Sequence, residues 1–600
     1  MTFKRYELTI PVELTSELHI GGVDPVPDRD GEGTVIRFNR NGLKEPTIPG
    51  RSIRGAVRAA CNVLWEERKL KDDPLAAGNG IFSDSNWESL WGDNLAHHEG
   101  NSPDDVLPVR RSALTFHAVS FPADQPMTTR HGVGIDRTTG AASDGALYEH
   151  EFLPRGTRFT IRITAEGRDD EQKDDTERKD NKQSEGIPGP ASSESVKKLL
   201  EFIVDVLNSG AVCLGGRTGS GQGTIQVIEP KLRRTGKTTD AGALTAPADV
   251  FDALIGEDEE GTPIPLERGG WSLEEPARIK ITWWSPTGIF VAEDEKLTKQ
   301  RKAQKEAENR KKCIDEEVHE VVYPLRDPSE EWENAQLLIP GTSIRGALRS
   351  RASRIARTVL AARDELSTFT SHDLHEQIAA EPNLVRYMFG STEYRGAVTV
   401  HDCLSTERGK RIEVTHNVID RWTGGVIDGG LFTEAVYLGT HWEPITIDID
   451  LRQLLNNIKA EKGPEDREKS KPTHADYAHA AYVLLGLVLA ELSAGTLPLG
   501  SRSTRGLGQV VVSSINVRGC TRDNVVIPAK TLSGDQVLEH PGTAATSPTQ
   551  DRYDAQRELA GEVLKYLRKQ IKGAPQWSDR LDEDLENDGT ESTGKEEPNE

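Results

Sequence analysis

Arginines recur at matching places in two segments of this chain that are almost identical. The segment IPGRSIRGAVR at 48–58 returns as IPGTSIRGALR at 339–349, with nine identities in eleven positions. Residues four apart share one face of a helix, so this spacing groups the basic side chains, and a guanidinium group matches the geometry of a phosphate. A solvated helix face that follows a turn is the alternative interpretation. The candidate phosphate-binding residues are Arg51, Ser52, Arg54 and Arg58 in the first segment and Ser343, Arg345 and Arg349 in the second.

A loop rich in glycine and arginine is also repeated. LGGRTGSGQG at 214–223 returns within LGSRSTRGLGQ at 499–509. Glycines let successive backbone N–H groups point into one concavity that suits an anion, and Arg217, Arg502 and Arg505 could bind the same anion. The loop lacks the Lys-Ser/Thr pair of a nucleotide-binding P-loop and leads into a strand, which excludes that class. A tight connection that requires positive φ angles is the structural alternative.

Carboxylates cluster in VDPVPDRDGEG at 23–33. Such a cluster can hold Mg²⁺ and orient a nucleophile, which makes Glu32, Asp30 and Asp28 candidate catalytic residues and Asp28 and Asp30 candidate metal ligands. A polar loop without a chemical role is the commoner meaning of this pattern. The second repeat has SPTGIFVAEDEK in place of this loop.

A third repeated motif predicts two projecting hairpins. IDRTTG at 135–140 returns as IDRWTG at 419–424, and each copy is followed by Asp-Gly and then by an extended segment. Turn residues between extended segments are typical of hairpins, which could insert between bases or between neighbouring proteins. The candidate contact residues at the two tips are Asp136, Arg137, Asp420 and Arg421.

These motifs keep one order and nearly one spacing, which indicates that a whole domain is duplicated. In the first copy, YELTIPVEL alternates as a strand does. Ile53, Val57, Ala60, Val63 and Leu64 give the segment after Ile-Pro-Gly a helical apolar face. A second helical pattern, VKKLLEFIVDVLNSG, leads into the glycine loop. The order strand–helix–strands–helix–strand, found twice, predicts an α+β fold of two tandem RRM-like or ferredoxin-like (βαββαβ) domains with long insertions.

The same pattern suggests where the domains begin and end. We expect the first domain at 1–230, a linker at 231–268 and the second domain at 269–520. A partly helical extension at 521–577 and an acidic, disordered tail at 578–600 would follow. The charged insertion at 293–320 would be a solvated helix or disordered.

Charge and cysteine content limit the possible function classes. The net charge of −23 argues against nucleic-acid binding when it is read alone, but the acid is segregated, and the repeated motifs are basic. Five widely spaced cysteines form no CxxC pair, so a zinc ribbon or a disulfide framework is not expected, and a reducing, cytoplasmic compartment is. The start, MTFKRYELTIPVEL, does not resemble a signal peptide, and no membrane span is expected.

In combination, LHIGG at 18–22, IPGxSIRGAxR, IDRxTG and the glycine loop resemble the RAMP superfamily. They are most similar to the backbone subunits of type III CRISPR effector complexes, two of which would be fused here. The resemblance implies a palm that grips CRISPR guide RNA through the arginines of the Ile-Pro-Gly helix, and a thumb hairpin that kinks this RNA. It also implies partners: guide RNA, target RNA and other CRISPR effector subunits.

Cleavage of target RNA is a separate implication of this resemblance. The family uses Mg²⁺ and a loop aspartate directly before a Val-Ile strand, whereas here Glu32 stands at the closest position, with Asp28 and Asp30 nearby. One alternative function is a metal-independent endoribonuclease that processes CRISPR repeat RNA, with His19 or His131 as its general acid or base. Another alternative is a protein-only scaffold.

Overall fold

The computed structural model describes most of both repeats. The described residues are 3–22, 26–27, 34–70, 84–92, 111–168, 191–235, 262–266, 277–293, 295–312, 320–328, 330–363, 373–461, 474–520, 526–533 and 560–561.

The first repeat consists of three helices and twelve short or medium strands in its described part. The helices are α1 (Gly50–Leu70), α2 (Asp84–Trp91) and α3 (Ser193–Asn208). The strands are β1 (Phe3–Leu14), β2 (Val26–Pro27), β3 (Thr34–Ile36), β4 (Thr47–Ile48), β5 (Leu114–Phe116), β6 (Val119–Ser120), β7 (Thr128–Ile135), β8 (Ala142–Phe152), β9 (Arg158–Arg168), β10 (Ile225–Val227), β11 (Lys231–Thr235) and β12 (Thr262–Ile264).

The main sheet of the first repeat is antiparallel and has the order β12-β11-β1-β9-β5, with β10 also paired to β1. Alternate residues of β1 are buried, because successive side chains of a strand point to opposite faces and only one face meets the helices. Helices α1 and α3 cover that face. Within 231–268, which the sequence suggests as a linker, β11 and β12 extend this sheet.

The second repeat carries six further helices and eleven further strands in its described part. The helices are α4 (Glu295–Lys311), α5 (Gly341–Ala361), α6 (Leu374–Ala379), α7 (Asn383–Phe389), α8 (Leu451–Glu461) and α9 (His474–Ser493). The strands are β13 (Ala277–Ser285), β14 (Val321–Val322), β15 (Leu338–Ile339), β16 (Val398–Val400), β17 (Cys403–Glu407), β18 (Lys410–Ile419), β19 (Val426–Leu438), β20 (Thr440–Trp442), β21 (Ile445–Ile449), β22 (Val511–Cys520) and β23 (Val526–Ser533).

The main sheet of the second repeat follows the plan of the first. Its order is β15-β17-β20-β13-β21-β16, with β22 paired to β13 and β23 to β22, and the registers are antiparallel. The core unites this sheet with buried residues of α5, α7, α8 and α9. The mixed α+β class is therefore confirmed. The charged insertion of this repeat includes a helix, α4.

The chain forms two compact units. The first comprises Met1–Thr129, Glu149–Thr218 and Gln222–Leu273, and the second comprises Arg130–Tyr148, Gly219–Gly221 and Glu274–Glu600. The outer part of the first hairpin, formed by β7 and β8, thus belongs to the second unit.

A glycine begins the helix after Ile-Pro in both repeats because a backbone carbonyl lies in the way of any side chain. A Cβ on Gly50 would lie 2.1 Å from the carbonyl oxygen of Phe116, and a Cβ on Gly341 would lie 2.2 Å from that of Val400. Phe116 and Val400 belong to the segments ALTFH and AVTVH, which are repeated together with this helix. The close approach fixes the start of the helix against the edge of a strand.

This close approach predicts opposite effects for two glycines of the same helix. Gly341→Ala should lower the free energy of unfolding by about 1–3 kcal/mol, since the added methyl group must displace backbone. Gly346→Ala should raise it by about 0.5–1 kcal/mol, because no described atom lies within 4 Å of the added Cβ and alanine is the better helix former. Urea unfolding of the two variants measures both. Equal effects of the two substitutions would contradict the packing described.

Candidate nucleic-acid interface

Four of the repeated arginines bind helix ends within the protein. Arg54 donates from Nη2 to the carbonyl oxygen of Trp91 (2.5 Å), and Arg58 donates to that of Gly92 (3.2 Å), so both bind the last carbonyls of α2. In the second repeat Arg345 donates to the carbonyl oxygen of Phe389 at the end of α7. Unpaired carbonyls at a helix C-terminus carry partial negative charge, which these guanidinium groups satisfy.

Arg349 extends the same arrangement with an ion pair. Its guanidinium donates to the carbonyl oxygen of Gly390 (3.0 Å) and pairs with the buried carboxylate of Glu381 (2.7 Å). Burial, followed by the charges of Arg349 and Arg395, lowers the pKa of Arg345 to about 10. These arginines therefore have a structural role, and a contact with RNA remains a prediction for them.

The exposed surface of the same helix is formed by other residues. Arg51 is exposed, and Gly55, one turn further on, is exposed as well. Ser52 and Ser343 lie in the first helical turn, where their backbone N–H groups donate to the carbonyl oxygens of Pro49 and Pro340. Gly346 is the exposed counterpart of Gly55 in the second repeat.

In the first glycine loop, the arginine lies beside a pair of histidines. Arg217 adopts a left-handed backbone conformation (φ 59°), and its Nη2 donates to Nε2 of His150 (3.1 Å). The ring of His150 contacts that of His19, with centroids 4.8 Å apart, and His19 hydrogen-bonds through Nδ1 to the carbonyl oxygen of Glu151 (2.7 Å). The two histidines are only 7% and 5% exposed, respectively.

Burial and charge keep this histidine pair neutral. Burial, then the nearby Arg217 and His19, lower the pKa of His150 to about 3. Burial also lowers the pKa of His19, although its hydrogen bond to Glu151 partly opposes this effect. At neutral pH both rings are therefore uncharged bases next to a guanidinium group.

In the second glycine loop, the arginines lie beside a buried carboxylate. Arg502, also left-handed (φ 63°), pairs with Glu434, whose side chain is 1% exposed, at 2.7 Å. His416 Nε2 lies 3.2 Å from the same carboxylate, and Arg505 lies 4.0 Å from it. The repeated motifs do not include Glu434 or His150. Both follow the hairpin motif at one offset, so an alignment of LYEHEF with LFTEAV could have found them.

The hairpin prediction is confirmed, and each tip is held by its aspartate. Asp136 accepts hydrogen bonds from the backbone N–H groups of Thr138 and Thr139, and Asp420 accepts them from Trp422 and Thr423. These bonds lower the pKa of Asp420. The two aspartates thus shape turns, which is a structural role.

The two tips differ in their surroundings. At the first tip, Gln377 donates to Asp136 (3.1 Å) and accepts from the backbone N–H of Arg137 (2.7 Å), while Arg137 also pairs with Glu381 (3.3 Å). At the second tip, Arg421 is exposed and the side chain of Trp422 is 96% exposed.

The candidate catalytic carboxylates Asp28, Asp30 and Glu32 lie outside the described residues, between β2 and β3. No step is therefore assigned to them or to Mg²⁺. In the described part of the chain, no group of three or more His, Cys, Asp or Glu side chains could hold a metal ion. His131 is an exposed residue of β7. Its neighbour Gly132 lies under the ring of Tyr148. In the second repeat, the ring of His416 lies beside that of Phe432.

Fold and site together define a tandem α+β protein in which each repeat presents a glycine-rich loop and a helix that begins with Ile-Pro-Gly. The profile of the RAMP superfamily matches residues 12–226 and 336–511, which is more than half of the chain. The chain belongs to the RAMP superfamily. A search of curated proteins finds no match. No helix in the described part of the chain has both the length and the apolar character needed to cross a membrane.

The arginine contacts predict a stability difference between two positions of equivalent charge. Arg345→Met should lower the free energy of unfolding by about 1–3 kcal/mol, since the buried carbonyl oxygens of Phe389 and Val398 lose their donor. Arg51→Met, at an exposed position, should change it by less than about 0.5 kcal/mol. Urea unfolding of both variants tests this, and an unchanged Arg345→Met protein would refute the structural role.

The histidine pair predicts a loss of stability in weak acid. An unfolded histidine takes up a proton as the pH falls through about 6.5, whereas folded His150 does not, so unfolding is favoured. Between pH 7.5 and 5.5, His150 should contribute a loss of about 1 kcal/mol. His150→Gln should lose less stability than the wild type over this range. Identical pH dependence of the two proteins would show that His150 is not held neutral.

Proposed function

We propose that this protein is a CRISPR guide-RNA-binding backbone subunit of a type III effector ribonucleoprotein, which acts in the cytoplasm in antiviral defence. Membership of the RAMP superfamily and the duplicated set of motifs support this assignment. The sheet order β10-β1-β9-β5, recurring as β22-β13-β21-β16, supports an RRM-like core in each repeat. Other CRISPR effector subunits and the target RNA would be its further partners.

Gly55 and Gly346 carry this proposal. A glycine inside a helix lowers the stability of the folded protein by roughly 0.5–1 kcal/mol relative to alanine. Both repeats nevertheless have a glycine at the same exposed position of this helix. Packing within the protein does not explain the choice, because no described atom lies within 4 Å of a Cβ built at either position. A ligand whose backbone approaches the helix closely would explain it.

RNA fits this surface better than an apolar partner does. Arg51 precedes Gly55 by one turn on the same exposed face, and a guanidinium group beside a bare stretch of helix suits a phosphate. The exposed glycine is duplicated as Gly346, with Thr342 in the place of Arg51, and a glycine that recurs in each repeat suits a ligand that repeats along its length, as a single-stranded nucleic acid does. Of the two candidate acid–base residues of the metal-independent endoribonuclease, His19 is buried and bonded through Nδ1 to a backbone carbonyl, whereas His131 is exposed.

Cleavage of target RNA is a further part of the proposal. It would require Mg²⁺ held by Asp28 and Asp30, with Glu32 at the position that corresponds to the family's aspartate. Binding of guide RNA does not depend on this part and is tested without it.

The exposed glycines Gly55 and Gly346 predict that their substitution by alanine changes stability and RNA affinity in opposite directions. Gly55→Ala/Gly346→Ala should stabilise the protein, yet weaken its binding of the RNA that co-purifies with the wild type by roughly thirty-fold, since a clash of about 2 kcal/mol replaces a close approach. Fluorescence anisotropy with that RNA, labelled, measures the affinity.

The matched control is Gly42→Ala, because Gly42 also has open space beside it but lies in a loop. This variant should bind as the wild type does. Unchanged affinity of the double variant would place the RNA elsewhere. A wild type that binds no RNA would favour the protein-only scaffold.

A further inference from the structure

The two repeats carry opposite charge in the segment that follows their first strand. In the first repeat this segment contains the carboxylate cluster at 23–33, and in the second repeat it contains helix α4. Helix α4 has seven Lys or Arg and three Glu, although the whole chain has a net charge of −23. The corresponding segments are thus acidic in one repeat and basic in the other.

Burial of apolar side chains does not hold α4 in place. Its apolar residues are Leu297, which is 47% exposed, and Ala303 and Ala307, which are exposed as well. In proteins most of the stability of a helix comes from packing of an apolar face, and α4 has no such face to bury. Polar contacts therefore fix its position.

These contacts surround Arg301, near the start of α4. Its guanidinium group pairs with the carboxylate of Glu293, which also accepts a hydrogen bond from the hydroxyl of Thr298 (2.9 Å). The same guanidinium group lies over the rings of Trp332 (4.4 Å to the centroid) and Tyr323 (5.0 Å). The side chain of Glu293 is only 3% exposed, so salt screens the ion pair weakly. An ion pair and two cation–π contacts therefore anchor the start of the helix.

A second arginine fixes Trp332 itself. The guanidinium group of Arg326 lies 4.0 Å from the centroid of the Trp332 ring and donates to the carbonyl oxygen of the same residue. It also donates to the hydroxyl of Tyr437 (2.6 Å), a residue of β19. Helix α4 is thus tied to the long hairpin strand β19 of the second repeat.

Beyond this anchor, α4 presents cations to the solvent. Lys305, Arg310 and Lys311 are exposed, and in the described part of the chain none of these three side chains forms an ion pair. Lys312, directly after the helix, approaches Glu308 only to 4.0 Å. Like charges on one helix repel each other, so a ligand with several negative charges would stabilise this arrangement.

The chemistry of α4 suits a nucleic acid better than a protein partner. The centres of protein–protein interfaces are rich in aromatic residues and poor in lysine, whereas α4 has five lysines and no aromatic residue. A polynucleotide offers a row of phosphates, which flexible lysines neutralise as point charges. Since α4 has no aromatic side chain on which a base could stack, such a contact does not depend on base sequence.

We propose that α4 is a further RNA-binding element of this protein, in which Lys305, Arg310 and Lys311 each bind one phosphate of the RNA backbone. The anchor around Arg301 holds these cations at a fixed place on the second repeat. This inference rests on the proposed function as an RNA-binding subunit. It adds a contact that lies outside the repeated motifs and that the first repeat does not duplicate.

Neutralising the three cations tests this inference in the full chain. Lys305→Gln/Arg310→Gln/Lys311→Gln should reduce the slope of log affinity against log KCl concentration by about 2, since each phosphate contact on a single strand contributes about 0.7. Affinity at about 0.15 M KCl should fall roughly fifty-fold. Fluorescence anisotropy with labelled poly(U) measures both, after concentrated salt has removed any co-purified RNA. Poly(A) should show the same loss, and a loss confined to one of the two RNAs would contradict a contact with phosphates alone.

The matched control removes the same charges elsewhere. Lys44→Gln/Arg155→Gln/Lys280→Gln also replaces two lysines and one arginine, at exposed positions outside α4. This variant should keep the wild-type slope, because only cations that contact phosphates release counterions from the RNA. An equal reduction of the slope in both triple variants would show that net charge and not α4 determines the affinity, which overturns the inference.

Three other outcomes separate this inference from the proposed function. An α4 variant with the wild-type slope overturns the inference and leaves RNA binding by the repeated helices intact. The acidic residues 578–600, which lie outside the described residues, are the competing occupant of α4. If the α4 substitutions reduce the slope only in a chain that ends at Trp577, this tail covers α4 in the full chain, and the inference is overturned. A wild type that binds neither RNA overturns the proposed function.

Discussion

The start of one helix against one strand edge organises each repeat. Gly50 and Gly341 have no room for a side chain because a strand carbonyl lies about 2 Å from where the Cβ would stand. This contact sets the position of α1 and of α5, and the arginines of those helices then reach the C-terminal carbonyls of α2 and α7. The exposed glycines Gly55 and Gly346 are held in place by the same contact. The spacing that the two copies of the motif share is thus largely a requirement of packing.

Duplication has preserved the backbone more strictly than the charges. Both glycine loops turn through a left-handed arginine, and the residue before it donates to a backbone carbonyl, that of His19 in one loop and that of Phe290 in the other. One arginine nevertheless contacts a histidine and the other a buried carboxylate. The geometry of a turn allows few residue types, whereas the partner of a guanidinium group can change with one substitution. Two copies of one domain can therefore keep a common fold and still differ in the charges around the same turn.

The sequence predicted the fold class, the hairpins and the helix after Ile-Pro-Gly, because these depend on local periodicity and turn residues. It was less accurate about which side chains face the core. Val63, expected on the apolar face of α1, is 39% exposed, and Cys61 is buried in its place. The contacts of Arg54 and Arg345 with helix ends could not be predicted. Helices α2 and α7 lie far from these arginines in the sequence, and nothing in the residues of either helix indicates an arginine contact. The repeated motifs do not include Glu434, whose importance comes from three basic groups on other elements, although an alignment of LYEHEF with LFTEAV places it opposite His150.

The most direct test of RNA binding by the repeated helices is ultraviolet cross-linking of the native protein to its co-purified RNA, followed by mass spectrometry of the cross-linked peptides. The account predicts cross-links on the peptides that contain Arg51 to Arg58 and Thr342 to Arg349, and on RNA of repeat-derived 5′ sequence. Cross-links confined to other surfaces, or random cellular RNA, would contradict it.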